Sequence, residues 1–495
     1  NKIKLLEGFN FIEFRRKSKN PKIQFKIRTI RINDQIEDKN FHLPKDEKIT
    51  HFYSAGAGEI SLNGKGKLLI RKVEFINGKK NIHEKNIKAG FLSGTKKYSF
   101  SFQTLGFLQL STISGHFNLV NYKFTENPQK KKVRISVLEE KPDIYIILID
   151  ACQASHLGVY GYWRNTSPNI DDFSKDSIVF ENAYTNATFT RASVATIFTG
   201  FFPFRHKLWI LTHKIRKGLF LLPEFLKKLD YRTAILTETA NISRFFGFER
   251  GIDEYYKIYG KPWNNPKYYK NKMSKYFKLW IKMKGPLFTY VHFIAPHFPI
   301  IPPPPFLDMF KKKKSSHKEN RLIIKLLEIE KIRSHFTPEE IEDVTADYDS
   351  TIRYVDSQVG KLFNSIKEKR SYESSLIIFT SDHGEALCEH GVWGHSKNVF
   401  EETSRIPLIV KFPAKMNLKG RIQKVTQLAD IFPTIAEMFG KERKFDGQSL
   451  FESIAIKKVD DTFAFSISMQ RPPSIGIRWR SWYYIIHQYN NKELL

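Results

Sequence analysis

The chain has 495 residues, 41% hydrophobic and 14% aromatic, an ordinary globular composition long enough for two domains, or for one large domain with an appendage. Its formal charge of +30, from 81 Lys and Arg against 51 Asp and Glu, favours anionic partners such as phosphate or sulfate esters, acidic glycans or a membrane surface. The lysines are spread throughout as on a solvated surface, and no Arg-rich helix or interleaving of basic with aromatic residues marks a nucleic-acid module, so no nucleic acid is expected.

The chain opens at Asn1 without the charged and apolar regions of a signal peptide, and no run of about 18 apolar residues is present to span a bilayer. An upstream signal or anchor, removed from this sequence, stays open. From Phe11 to Phe124 short alternating segments follow one another, among them Lys67 to Phe75, Tyr98 to Phe102 and Phe107 to Ile113. Asn77-Gly78 supplies the dipeptide of a two-residue hairpin. Residues 1–125 therefore read as an all-β, sandwich-like domain that shields one side of the molecule, binds a glycan or lipid, or presents substrate. Residues 126–140, with Asn127-Pro128 and a lysine run, read as a linker.

From 141 to 495 the pattern changes. Ile144 to Ile149 is a continuous apolar run, the mark of a strand buried on both faces, and similar runs recur at Thr233 to Leu236, Leu287 to Ile294, Leu376 to Thr380 and Ile406 to Phe412. Helical patterns lie between them. Pro223 opens one, and Ile352, Val355, Val359, Leu362 and Ile366 mark another within Asp349 to Ile366. The alternation predicts a doubly wound, mostly parallel α/β sheet with helices on both faces, whose chemistry sits beyond the carboxyl ends of the strands. Cys152 and Cys388 are too few for a disulfide framework, and neither has metal-ligand spacing.

Asp150 ends the first buried strand, and Asp382-His383 directly follows another. Two carboxylates and an imidazole delivered by rigid strands at one end of a sheet suit a divalent cation, whereas a single such Asp would as readily cap a helix. Thr190 stands just ahead of an apolar helical stretch ending in Thr199-Gly200. There, free N–H groups and the helix dipole stabilise an alkoxide and a bound anion together.

These stretches form an ordered set. Ile146-Ile147-Leu148-Ile149-Asp150, His156 to Tyr162 and Ser167-Pro168-Asn169-Ile170-Asp171 resemble the opening of the sulfatase-type catalytic domain of the sulfatase and alkaline phosphatase superfamily. That family places its nucleophile ten residues before the Gly of a Thr-Gly pair, which is Thr190 here. Val291 to Pro299, Thr380 to His395, Arg405 to Val410, Asp430 to Thr434 and Asp446 to Leu450 resemble later landmarks in the expected order. The resemblance implies a metal-dependent hydrolase or transferase with Asp150, Asp382, His383 and Thr190 around a divalent cation. Zinc, manganese, magnesium and calcium all suit such a set, and the imidazole favours zinc or manganese over calcium. His297 and His395 would hold the oxyanion or protonate the leaving group. His395 stands where many sulfatases carry a substrate-binding lysine, and the alternative role for it is a ligand of a second metal. Arg191 and His390 are further candidate substrate contacts, whereas His156, His292 and Asp356 read as structural.

Departures from the family pattern bear on the chemistry. Members that cleave sulfate esters carry Cys or Ser at the nucleophile, matured to formylglycine. Thr190 bears a β-methyl, so oxidation would stop at a ketone. The usual Pro and Arg of that motif are Ala192 and Val194, and only Arg191 could replace the arginine by swinging in. A Thr resembles instead the phosphodiesterase and phospho-group transferase branches, with a phosphothreonine intermediate. Gln153 and Ser155 stand where relatives often carry a second Asp or an Arg, and the Gln153 amide oxygen is a candidate ligand in their place. Three expectations follow: a Thr-dependent phosphoester hydrolase or transferase, a sulfatase independent of formylglycine, or a non-catalytic binding protein with a decayed site. The substrate expected is an anionic ester on a glycan, lipid or envelope polymer, and the resemblance implies an extracytoplasmic or cell-envelope setting.

Overall fold

The computed structural model describes residues 140–495, apart from 209–212, 259–271, 313–336, 370–371, 442, 456–461, 470–473, 480–481, 487–492 and 495. Ahead of residue 140 it describes the strands between Lys2 and Glu126. The chain forms two compact units, Asn1–Arg134 and Ile135–Leu495.

The first unit is all-β. Its eight strands pair as one sheet built on two 21-residue strands, Gly56–Ile76 and Gly106–Glu126, which run antiparallel along their whole length. Register shifts after Ser61 and Lys67 let strands this long bend. Lys79–Ala89 and Lys96–Phe102 line the outer edge of the first, and Phe41–Leu43 and Lys48–Tyr53 that of the second. Asn77-Gly78 and the expected linker, at residues 127–139, lie outside the described residues. Ile76 pairs with Lys79, the register of a two-residue connection.

The second unit is built on an eight-stranded sheet in the order Glu254–Lys257, Arg232–Thr237, Leu287–Pro296, Ile144–Asp150, Leu376–Ser381, Leu408–Lys411, Ile178–Tyr184 and Gly420–Gln427. Only Leu408–Lys411 runs against the rest of this sheet. Every residue of Ile144–Asp150 is buried, because successive side chains enter two different cores. Ile144, Ile146 and Leu148 pack with the helices Thr190–Thr199, Leu222–Lys227 and Ile431–Met438. Tyr145, Ile147 and Ile149 pack with Lys272–Trp280 and the 32-residue helix Pro338–Lys369. The expected strands and both helical patterns are present. Ile178–Tyr184, Glu254–Lys257 and Gly420–Gln427 were not expected, nor was the C-terminal antiparallel sheet of Phe463–Ile467, Ile475–Trp479, Trp482–Ile486 and Glu493–Leu494. No helix among the described residues is long and apolar enough to cross a membrane.

Candidate active site

Ile144–Asp150 and Leu376–Ser381 pair in parallel, with Ile149 opposite Ser381, so the residues that leave their carboxyl ends are side by side. Asp382 Oδ1 accepts the N–H groups of Ala151 at 3.2 Å and His383 at 3.0 Å. Its Oδ2, like Oδ1 of Asp150, is buried without a hydrogen-bond partner among the described residues. The His383 ring donates Nδ1–H to the Gly384 carbonyl at 2.9 Å, which leaves the lone pair of Nε2 pointing at the carboxylates, 3.6 Å from Asp150 and 3.5 Å from Asp382. Burial, with His395 close by, holds His383 neutral, its pKa well below the ordinary value. Gly384 makes this turn close: a β-carbon there would meet the Glu402 carbonyl oxygen at 2.0 Å.

The third contributor is the helix Thr190–Thr199, whose first residue is Thr190. Thr190 is buried, with Oγ1 3.4 Å from His383 Nε2. Ser193, the other hydroxyl on the same helix turn, is occupied elsewhere: its Oγ donates to the Asp382 carbonyl at 2.6 Å and meets the Thr185 hydroxyl at 3.1 Å.

Leu287–Pro296 supplies the far wall. His292 lies 3.2 Å from Asp150 Oδ2 through Nε2, and its Nδ1 accepts the Tyr290 hydroxyl at 2.8 Å. Just past the strand, His297 donates Nδ1–H to the Phe298 carbonyl at 2.5 Å, so Nε2 is free. Its ring lies 4.8 Å from that of His395, which in turn stacks on His383 at 4.2 Å. His395 pairs through Nδ1 with Glu385 Oε1 at 2.8 Å. Burial opposes the imidazolium, yet the Glu385 carboxylate outweighs it and raises the His395 pKa. Burial likewise opposes ionisation of Asp150, but His297 and the hydrogen bond with His292 hold it below the carboxylate range. Asp382 goes the other way, raised by burial and by the Asp150 charge.

Asp150, Asp382 and His383 each offer a ligand atom, all within 4.8 Å of one another, and all three residues are buried. Two buried carboxylates with an unpartnered oxygen each, and a neutral imidazole aimed at both, fit a divalent cation, which would compensate them.

The remaining expected residues lie elsewhere. Arg191 does not swing in: its Nε donates to Asn241 at 3.1 Å, and the guanidinium lies 3.9 Å over the Phe246 ring. His390 stacks on Phe400 at 4.5 Å, bonds Glu402, and is 58% exposed. The Gln153 amide oxygen accepts the Ser155 hydroxyl at 2.8 Å, and its nitrogen donates to the Glu385 carbonyl at 2.6 Å. His156 and Asp356 are structural: His156 bonds Asp349 at 2.7 Å, and Asp356 accepts the backbone N–H groups of Asn169 and Ile170. Glu385 was missed as a functional residue. Nothing in its spacing marks it, although it lies inside the segment that resembles the family.

The family model for sulfatases matches residues 142–441. Iduronate 2-sulfatase of Mus musculus is 22% identical over 388 residues, covering 60% of this chain and 68% of the relative. Arylsulfatase of Clostridium perfringens is 23% identical over 371 residues, covering 60% and 74%. Among solved structures, the phosphonate monoester hydrolase of Agrobacterium radiobacter superposes with a TM-score of 0.60 at 18% identity, over 71% of this chain and 88% of that one. With the family matched across 142–441, and with the parallel sheet of this fold carrying Asp150, Asp382 and Thr190 at its carboxyl end, the chain belongs to the sulfatase family and is a hydrolase of that family.

Proposed function

We propose that the protein cleaves or transfers a phosphoester group through a covalent intermediate on Thr190. The observation that carries this reading is the hydroxyl of Thr190 itself, buried at a helix N-terminus, 3.4 Å from His383 Nε2 and beside the Asp150–Asp382 pair. A threonine has no route to the formylglycine aldehyde, but as an alcohol it serves directly as a nucleophile.

Asp150, Asp382, His383 and Thr190 would hold the cation, with zinc or manganese the better match to a mixed imidazole and carboxylate set. Bound there, it would favour the ionised form of the Thr190 hydroxyl and neutralise charge on the phosphoryl oxygens. The helix N–H groups behind Thr190 add to this at no reorganisation cost. Oγ1 then bonds phosphorus while the bond from phosphorus to the leaving oxygen breaks. That oxygen takes the Nε2 proton of the His395 imidazolium, which Glu385 sustains. His297, its Nε2 unengaged, donates to a phosphoryl oxygen when protonated. In the second half, water or an acceptor alcohol attacks the phosphothreonine, gives its proton to the now neutral His395, and releases Thr190. The substrate is an anionic ester on a glycan, lipid or envelope polymer in an extracytoplasmic setting.

A sulfatase independent of formylglycine is the second reading, favoured by the relatives named above. The two are separated with aryl phosphodiester, phosphomonoester and sulfate esters offered to metal-loaded protein, to Thr190→Ala, and to each after chelation. Phosphoester turnover that falls at least about 1,000-fold in Thr190→Ala and is abolished by chelator is expected, the size of loss seen when a nucleophile is removed. Turnover of the sulfate ester alone, or activity that survives the loss of Thr190, overturns the mechanism.

A further inference from the structure

One acidic side chain at the carboxyl end of the sheet has no part in the chemistry above. Glu238 directly follows the strand Arg232–Thr237; its N–H donates to the His292 carbonyl at 3.1 Å and its Oε2 accepts the Ile294 N–H at 3.0 Å. Glu238 lines a cleft with Phe293, His297, Phe298, Ile301 and Tyr354. Among the described residues no lysine, arginine or histidine forms an ion pair with Glu238, and its Oε1 takes no hydrogen bond. Burial pushes its pKa up to about 7. The cleft opens on His297, whose ring is 4.8 Å from that of His395. His297 also lies 6.4 Å, ring to ring, from His383, which is 3.4 Å from the Thr190 hydroxyl, so a group seated in the cleft borders the reaction site through His297.

We propose that this cleft is the subsite for the alcohol portion of the ester, and that Glu238 selects a substituent carrying an ammonium group. The proposal rests on Thr190 and the imidazoles being the reaction site. A carboxyl that lacks a countercharge is costly to ionise in such a place, and a cationic ligand supplies what the protein does not. The rings of Phe293, Phe298 and Tyr354 on the walls suit the same ligand, because aromatic faces attract ammonium groups. A neutral hydroxyl would satisfy Oε1 but leave the charge unmatched, and an anionic substituent would be repelled.

Two measurements test this. The first is calorimetric titration of metal-loaded protein with 2-aminoethylphosphonate and with ethylphosphonate, for the native chain and for Glu238→Gln. The native chain is expected to bind the aminoethyl compound at least about tenfold more tightly, and Glu238→Gln to bring the two to within about twofold, the loss expected of one charge-assisted contact. Equal affinities in the native chain, a preference that persists in Glu238→Gln, or binding of neither compound overturns the proposal. The second compares turnover of the 2-aminoethyl and ethyl diesters of an aryl phosphate. Cleavage of both without preference overturns the subsite and leaves the phosphoester reading standing. A binding preference without cleavage of either leaves the subsite and overturns phosphoester transfer.

Discussion

Glu385 raises the pKa of His395 above that of an ordinary histidine, against the opposing effect of burial. Its Oε1 holds the imidazole Nδ1 at 2.8 Å, and its Oε2 is buried with no other partner, so the carboxylate's charge is directed at one ring. Because the His395 pKa is raised, the imidazolium persists to higher pH than a free histidine, and the acid needed for the leaving group is lost as pH rises through that raised value. Removing the Glu385 charge lowers the His395 pKa, so Glu385→Gln is expected to move the alkaline limb of the kcat/KM profile to lower pH by about one unit, a typical effect of one charged neighbour. An unmoved limb would show that His395 is not the acid. Asp150, Asp382, His383 and Thr190 stood out as candidates in the sequence because each follows a strand or opens a helix, whereas His297 and His395 were picked out only by the resemblance. Glu385 was not, because a glutamate's meaning here depends on a ring ten positions later in the chain. Gln153, whose amide oxygen the sequence offered as a ligand, has both ends of its amide in local hydrogen bonds, the oxygen with Ser155 and the nitrogen with the Glu385 carbonyl.

The elements hold these residues in place by borrowing caps from one another. The helix Pro168–Ser174 has no side-chain cap of its own from Ser167. Asp356, fully buried on the helix Pro338–Lys369, accepts the N–H groups of Asn169 at 3.1 Å and Ile170 at 2.9 Å and the Asn169 amide at 2.7 Å. Gly360, one turn further on, permits the approach, since a β-carbon there would lie 2.4 Å from Asn169 Oδ1. Asp356→Ala leaves two helix N–H groups without an acceptor and is expected to cost about 2–4 kcal/mol, read from the midpoint of urea unfolding, with the Thr190 chemistry little changed. Asp356→Asn keeps an acceptor and should lose less. Equal stability of Asp356→Ala and the native chain would show that the cap is supplied otherwise. The apolar stripe from Ile352 to Ile366 made the later part of this long helix legible, because those side chains form its contact with the sheet. Its first turns, Pro338 to Asp343, are acidic and largely half-exposed or exposed, and carry no such stripe. Ile178–Tyr184 and Gly420–Gln427 escaped for the opposite reason. Their polar residues, among them Glu181, Asn182 and Gln423, break the apolar run that revealed the central strands.

At the scale of the whole molecule the chemistry belongs to one unit. Asp150, Thr190, His297, Asp382, His383 and His395 all fall within Ile135–Leu495, as do both cores that flank the sheet. The C-terminal sheet is tied into the same body: the Asn186 amide donates to Gln427 at 2.8 Å and to the Phe465 carbonyl at 2.9 Å, and Ala187 bridges Ile467. That sheet was not legible, because its strands are five residues or fewer and are flanked by basic and polar positions, yet Phe463–Ile467 packs beside Ile178–Tyr184 and Gly420–Gln427. In the N-terminal unit the two long strands are paired on both edges by strands of the same unit. It follows that the catalytic unit carries what small esters require. A chain beginning at Ile135 is expected to turn over an aryl phosphodiester with kcat/KM within about threefold of the full chain, since no site residue is lost and a change below 1 kcal/mol is anticipated. An ester borne on an anionic polymer is the contrasting case, because the excess of Lys and Arg in residues 1–134 would no longer contribute to encounter, and the full chain should then hold the advantage at low ionic strength and lose it as salt is added. Loss of small-ester turnover in the shortened chain, with its unfolding midpoint unchanged, would show instead that residues before Ile135 take part in the reaction.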